Sequence, residues 1–366
     1  MERIFASPSR YVQGKGVLEN GLHHIKDLGQ KVLLLTDENV WKIAGETLFE
    51  DLKSADLSPV KEIFGGEASA KEIERIVEKA QDESIEVIAA LGGGKTIDTG
   101  KAVADELHVP IAVLPTIAST DAPTSSLSVI YSEEGRFEKY RFYNKNPELV
   151  LVDTSVIAKA PAKLLAAGIA DALATYVEAR AVARSHSENM VGGMQPIAGM
   201  AIAEKCEEIL FDNALKAYQA NRQQVVTEAF EQIVEANTLL SGLGFESAGL
   251  AAAHAIHNGL TAVEGEVHSL SHGEKVAYGT LTQLMLENAD PDELDAYIEL
   301  YQALDLPTTL RDMFLAEASD EDLMQIGEQA CIEGETIHNM PFSVTPEDVV
   351  AALKAVDAYV TSYYPK

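Results

Sequence analysis

EVIAALGGGKTIDTGKAVADEL, residues 86–107, is the stretch from which the architecture follows. It opens with an apolar run of strand length, EVIAALG at 86–92, and closes with TIDTGKAVADEL at 96–107, whose apolar residues recur at helical spacing. Gly92, Gly93 and Gly94 join the two. Missing Cβ atoms let the backbone approach a phosphate, and a helix N-terminus offers unpaired N–H groups at the positive end of its dipole. Gly92, Gly93, Gly94 and Lys95 are therefore read as a pyrophosphate cradle, although a tight strand-to-helix turn would use the same glycines. Two other phosphate patterns fail here. The P-loop, aligned on Lys95-Thr96, needs glycine where Ala89 stands, and Lys95 interrupts the spacing of GxGxxG.

Outward from this unit the chain alternates. KVLLLT at 31–36, SPVKEIF at 58–64 and PIAVLP at 110–115 read as further strands, and ASAKEIERIVEKAQDE at 68–83 as a helix. Such alternation predicts a doubly wound parallel sheet. Asp37 follows KVLLLT, where a carboxylate suits the hydroxyls of an adenine ribose and repels a 2′-phosphate, favouring NAD over NADP; an acid there also suits a helix cap. SLSVIYS at 126–132, a turn at Glu134-Gly135 and RFEKYRFY at 136–143 predict a hairpin, and ELVLVD at 148–153 another strand. Beyond Pro161 the patterning is helical, with Ala-rich stretches at 161–184, 196–219 and 223–241. The expected division is an α/β NAD-binding domain over 1–160 and an all-helical metal-binding, catalytic domain over 161–366, with a ligand cleft between them.

Composition narrows the function. A formal net charge of −30 over 366 residues argues against nucleic acid and anionic membrane as partners and favours small substrates. No apolar run is long enough to span a bilayer, and the opening MERIFASPSRYVQGKG lacks the basic-then-apolar order of a signal peptide, so a cytoplasmic location is expected. Cys206 and Cys331 are the only cysteines and suggest neither a disulfide framework nor a CxxC zinc site.

The helical half holds candidate metal ligands. Asp171 sits in the otherwise apolar LLAAGIADALATYVEA at 164–179, where a buried carboxylate needs a partner or a cation. His254 lies in GLAAAHAIHNGL at 249–260 and His272 in HSLSHGEKVAYG at 268–279. One carboxylate with two imidazoles leaves a coordination position open, as a catalytic zinc requires. Spacing does not choose between His254 and His257, one turn apart, or between His272 and His268. His23, His24, His108 and His186 read as structural or solvated, and Glu178, one face along from Asp171, as a surface pair before a competing ligand. The hydroxyl-rich loop PTIASTDAPTSSLSVIY at 115–131, with Asp121 as its one charge, suits hydrogen bonding to a cofactor or a polyol; a solvated loop with an Asx turn is the plainer reading.

Six blocks taken together, GGGKT at 92–96, TIASTDAP at 116–123, GIADALATYVEAR at 168–180, GFESAGLAAAHAIHNGL at 244–260, HGEKVAYGTLTQL at 272–284 and GETIHNMP at 334–341, resemble the glycerol dehydrogenase family of the metal-dependent, iron-type alcohol dehydrogenase superfamily. The resemblance spans essentially the whole chain. It implies a divalent metal, usually zinc, on Asp171, His254 and His272, which selects among the competing histidines. It further implies NAD against Asp37, Gly94, Lys95, Thr116, Ser119, Ser125, Leu127 and Tyr131, with Asp121 on the substrate hydroxyls, and assembly as a homo-oligomer. The implied reaction is NAD-dependent oxidation of glycerol and related vicinal diols to dihydroxyacetone. Many superfamily members place a histidine one turn after the aspartate, where this chain has Thr175; three protein ligands favour zinc. A glycerol-phosphate dehydrogenase or a dehydroquinate synthase relative would need cationic groups for its substrate, and the loop at 115–130 has no Lys or Arg. An inactive nucleotide-binding scaffold is the reading of a different class, and a retained metal triad speaks against it.

Overall fold

A computed structural model describes residues 2–133 and 135–364. Six strands, β1 (Tyr11–Gly14), β2 (Lys31–Thr36), β3 (Ser58–Ile63), β4 (Val87–Gly92), β5 (Ile111–Pro115) and β8 (Leu149–Asp153), form one sheet in the order β1-β8-β5-β4-β2-β3. Every pairing in it is parallel. The central strands are apolar because helices cover both faces of such a sheet: Val32, Leu34, Val87, Ala89, Leu91, Ala112, Leu114, Leu149 and Leu151 belong to one buried cluster. β6 (Leu127–Tyr131) and β7 (Phe137–Phe142) pair antiparallel as a separate hairpin, with a register shift at Ile130/Tyr131. Of the expected turn, Gly135 has the positive φ of 80° that favours glycine; Glu134 lies outside the described residues.

The strand order reverses between β2 and β4, which lie side by side while their successors β3 and β5 run outward in opposite directions. In open α/β sheets ligands bind at the carboxyl ends of strands at such a switch point. Asp37 directly follows β2, Gly92–Gly94 ends β4, and Thr116 directly follows β5. Gly92 is paired with Pro115, and Thr116 N donates to Gly92 O at 3.1 Å.

The chain divides into two compact units. One comprises Ala6–Pro161 with Ala220–Gly242; the other comprises Ala162–Gln219, the stretch from Leu243 onward and the first few residues. A single cut at 160 thus misplaces 220–242, which is helical but belongs with the sheet. The reason is a set of hydrogen bonds: Gln13 Nε2 donates to Glu231 Oε2, Thr154 Oγ1 to Glu231 Oε1, and Asn237 Nδ2 to Ala118 O.

In the helical unit three helices meet at Ala174, Ala253 and Val276: Ala162–Ser185, Ala252–Leu260 and His272–Leu286. Their backbones touch. A Cβ at Gly273 would lie 1.8 Å from Ala167 O, and one at Gly279 2.4 Å from Ala253 O. These two glycines bring the His272 helix against both of its neighbours. Among the described residues no single helix is long and apolar enough to cross a membrane.

Candidate active site

Asp171 lies on the first of those helices, His254 on the second, and His272 opens the third. One ligand atom from each falls within 4.8 Å of the others. His272 Nε2 is 3.0 Å and His254 Nε2 3.3 Å from the same oxygen, Asp171 Oδ1. Asp171 is fully buried. Burial alone pushes its carboxyl up, but His272 and His254 outweigh that and hold it well below the usual carboxylate range.

The His254 ring is oriented by a group that sequence reasoning assigned to the surface. Glu178 is wholly buried, not a surface pair, because seven residues from Asp171 are about two helical turns and return to the same face. Its Oε2 lies 2.5 Å from His254 Nδ1. A carboxylate only accepts, so Nδ1 carries a proton, and Nε2 is the ring nitrogen turned to Asp171. Burial lowers the His254 pKa, but Glu178 and Asp171 overcome it and hold it well above the ordinary value.

Helix Ala252–Leu260 starts after Ala251, whose side chain has no capping group, so its orphan N–H groups are met from elsewhere. Glu178 Oε1 accepts from Ala251 N at 2.8 Å and His254 N at 3.1 Å, and Gln283 Oε1 from Ala252 N and Ala253 N at 2.9 Å each. The same carboxylate thus caps the helix and aims its histidine. The block at 334–341 holds the approach to this helix: Thr336 Oγ1 donates to Ala251 O, Asn339 Nδ2 to Leu250 O, and Asn258 Nδ2 to Glu335.

The competing histidines contribute no ligand atom to the group of Asp171, His254 and His272. His257 is buried beside it, its Nδ1 3.1 Å from Asn258 Oδ1 and its ring centroid 4.1 Å from that of His272; burial, with His272, Lys275 and His254 close by, pushes its pKa well below the ordinary value. His268, His23, His108 and His186 are exposed and His24 is half-buried. Thr175 is fully buried and brings no further imidazole to the group.

Two imidazole nitrogens and a carboxylate oxygen, with a second carboxylate behind one imidazole, match the donor set and the outer-shell support of a divalent metal site. If Glu178 tunes that site, Glu178→Gln keeps an oxygen near the helix terminus but removes the charge behind His254. Zinc affinity, read by competition with a chelating dye, is expected to fall about 10- to 100-fold.

In the sheet unit, the helix Gly94–Leu107 begins at the glycine loop with no side-chain cap at Gly93. A Cβ at Gly92 would meet Thr96 at 2.8 Å and one at Gly93 would meet Ile117 at 3.0 Å, whereas one at Gly94 would have Thr120 Oγ1 at an ordinary 3.5 Å. Internal packing accounts for the first two glycines and not for Gly94. Lys95 Nζ lies 2.6 Å from Glu67 Oε1 and 5.3 Å from the ring centroid of Tyr131. Burial, with Asp98 and Glu67 near, pushes the Tyr131 hydroxyl up. Asp37 caps the short helix after β2, its Oδ1 accepting from Asn39 N at 2.8 Å and Val40 N at 3.0 Å.

The loop after β5 is packed, not solvated. Thr116, Ser119, Asp121, Ser125 and Leu127 are all buried. Lys101, which sequence reasoning passed over, supports it from beneath: its buried Nζ donates to Ala122 O at 2.5 Å, Ser125 Oγ at 3.1 Å and Leu127 O at 2.9 Å. From the other side, a π-helical turn at Ala236–Leu240 widens the predicted helix and supplies Asn237 to Ala118 O at 2.9 Å. Ser241, just beyond it, donates to Asp121 Oδ2 at 3.0 Å.

The chain is similar to known proteins along its length. The model of the family "Iron-containing alcohol dehydrogenase" matches residues 8–154. A glycerol dehydrogenase of Escherichia coli O6:H1 is 49% identical, over 98% of each chain, and a glycolaldehyde reductase of Halobacterium salinarum is 48% identical, also over 98% of each. The crystal structure of glycerol dehydrogenase from Schizosaccharomyces pombe superposes with a TM-score of 0.96 at 44% identity, covering 99% of this chain and 92% of that one. Full-length identity at this level, the shared sheet-then-helices fold and the matching family model together make this chain an oxidoreductase of the iron-containing alcohol dehydrogenase family.

Proposed function

We propose that the chain catalyses the reversible, NAD-dependent oxidation of glycerol and related vicinal diols at the secondary carbon, giving dihydroxyacetone, NADH and a proton. The observation that carries the proposal is the convergence of the buried Asp171 and His254 with the half-buried His272 within 4.8 Å, in a chain 49% identical to a glycerol dehydrogenase. A divalent metal held there, zinc by the nitrogen-rich set of three protein donors, supplies Lewis acidity that lowers the pKa of a substrate hydroxyl. The protein's own part is to hold the donors: Asp171 supplies the anion, Glu178 fixes the His254 tautomer, and Gly273 lets His272 reach the carboxylate.

NAD is assigned to the sheet unit. Support comes from the switch point at which Asp37, Gly92–Gly94 and Thr116 end adjacent strands, from the uncapped helix terminus, and from Gly94, whose missing Cβ suits close approach by an outside group. Lys95 would meet the diphosphate, and Asp37, Ser119, Ser125, Leu127 and Tyr131 complete the proposed contacts. Asp121 is proposed to orient the polyol by hydrogen bonds, a matter of position and not of proton transfer. Assembly as a homo-oligomer belongs to the same proposal.

The Halobacterium relative makes reduction of a small hydroxyaldehyde the second reading. NADH formation from glycerol, 1,2-propanediol and ethylene glycol, set against NADH consumption with dihydroxyacetone and glycolaldehyde, separates the two. We expect the highest kcat/KM in each direction with glycerol and dihydroxyacetone; preference for glycolaldehyde by tenfold or so, about 1.4 kcal/mol in transition-state terms, would overturn the polyol assignment.

A further inference from the structure

We propose that Glu67 is an affinity-setting residue for the dinucleotide, its carboxylate offsetting the charge of Lys95 where the cofactor's diphosphate is to be held. The inference rests on the glycine loop being the phosphate site. Lys95 stands one residue into the helix that starts at Gly94, and its Nζ is 2.6 Å from Glu67 Oε1. The other carboxylate oxygen, Glu67 Oε2, is buried and meets no hydrogen-bond partner among the described residues.

Glu67 is held in place by its backbone neighbours. Ser69 N donates to Glu67 O at 2.9 Å as the helix Ala70–Asp82 begins, and Tyr131 N donates to Ala68 O at 3.0 Å, tying the segment to β6. The backbone that carries the carboxylate is thus fixed beside the lysine. An ammonium already facing a carboxylate attracts a diphosphate less, because the one negative charge of Glu67 offsets that of Lys95. Against this, Glu67 spares Lys95 some loss of rotamer freedom on binding. Glu67→Gln separates the two effects, because its amide oxygen still accepts from Lys95 while the charge is gone.

The test is calorimetric titration of the full-length protein with ADP, NADH and adenosine. Glu67→Gln is expected to bind ADP and NADH about two- to fivefold more tightly than the parent, the range of a partly exposed charge pair. The gain should shrink as salt is raised. Adenosine, without phosphate, should bind both proteins alike, which also shows that the variant is folded. Unchanged or weaker ADP binding by Glu67→Gln overturns the inference, as does an equal change for ADP and adenosine. Lys95→Gln is expected to weaken ADP binding; if it leaves ADP and NADH affinity unaltered, the phosphate-site reading fails and the inference falls with it. If Lys95→Gln weakens ADP while Glu67→Gln does nothing, only the role given to Glu67 is lost.

Discussion

Asp171→Ala is expected to retain no stoichiometric divalent metal and to lose turnover by about 10³-fold or more. Asp171 Oδ1 is the atom on which both imidazoles converge, at 3.0 and 3.3 Å, and it is the one anionic donor of the three. Removing it leaves two imidazoles with no anionic donor, and the Lewis acidity proposed for the reaction is worth several kcal/mol of barrier. The fold should survive, since Glu178 still caps the His254 helix through Ala251 N and His254 N. Asp171→Asn, of the same shape, checks this: it should show the parent's circular dichroism and the same loss of metal. Metal analysis of the purified variants beside NADH absorbance with glycerol reads both effects, and a metal-free Asp171→Ala protein with the parent's activity would refute the assignment.

Gly273→Ala tests the scaffold and not a ligand. The new methyl would lie 1.8 Å from Ala167 O, and a backbone carbonyl inside a helix cannot swing aside as a side chain can. The His272 helix has to move off the Asp171 helix, at a cost on the order of 3 kcal/mol in overpacking. The displacement begins one residue from His272, so zinc affinity should fall together with thermal stability. Gly334→Ala is the control. A Cβ at Gly334 would meet nothing within 4 Å, although its φ of 92° adds strain. It should lower stability and leave zinc affinity near the parent's. If Gly273→Ala loses stability yet binds zinc as the parent does, close helix approach does not position the ligand.

These residues also show which features of the chain can be read without a structure. β2, β4 and β5 announce themselves because a parallel strand buried on both faces is a continuous apolar run, and the loop between β4 and its helix carries its own glycines. β1 does not: its four residues YVQG are only half-buried, lie at the sheet edge, and pair with β8 far along the chain, Tyr11 with Val150. The three proposed ligands are individually ordinary. A histidine at 254 and another at 257 differ in sequence by one turn, and helix packing, with Glu178 behind it, separates one from the other. Glu178 and Lys101 look like surface charges in a string of letters; their burial depends on which helix faces inward, a tertiary fact. The same holds for 220–242, whose helical pattern says nothing of the sheet unit it joins, and for the π-turn that brings Asn237 to the loop bearing Asp121.

Metal dependence of the reaction tests the central claim most directly. Protein dialysed against a chelator and then against chelator-free buffer should form no NADH from glycerol and NAD, and should regain the parent's rate on addition of one equivalent of zinc per chain. Undiminished NADH formation by the metal-free protein would contradict it.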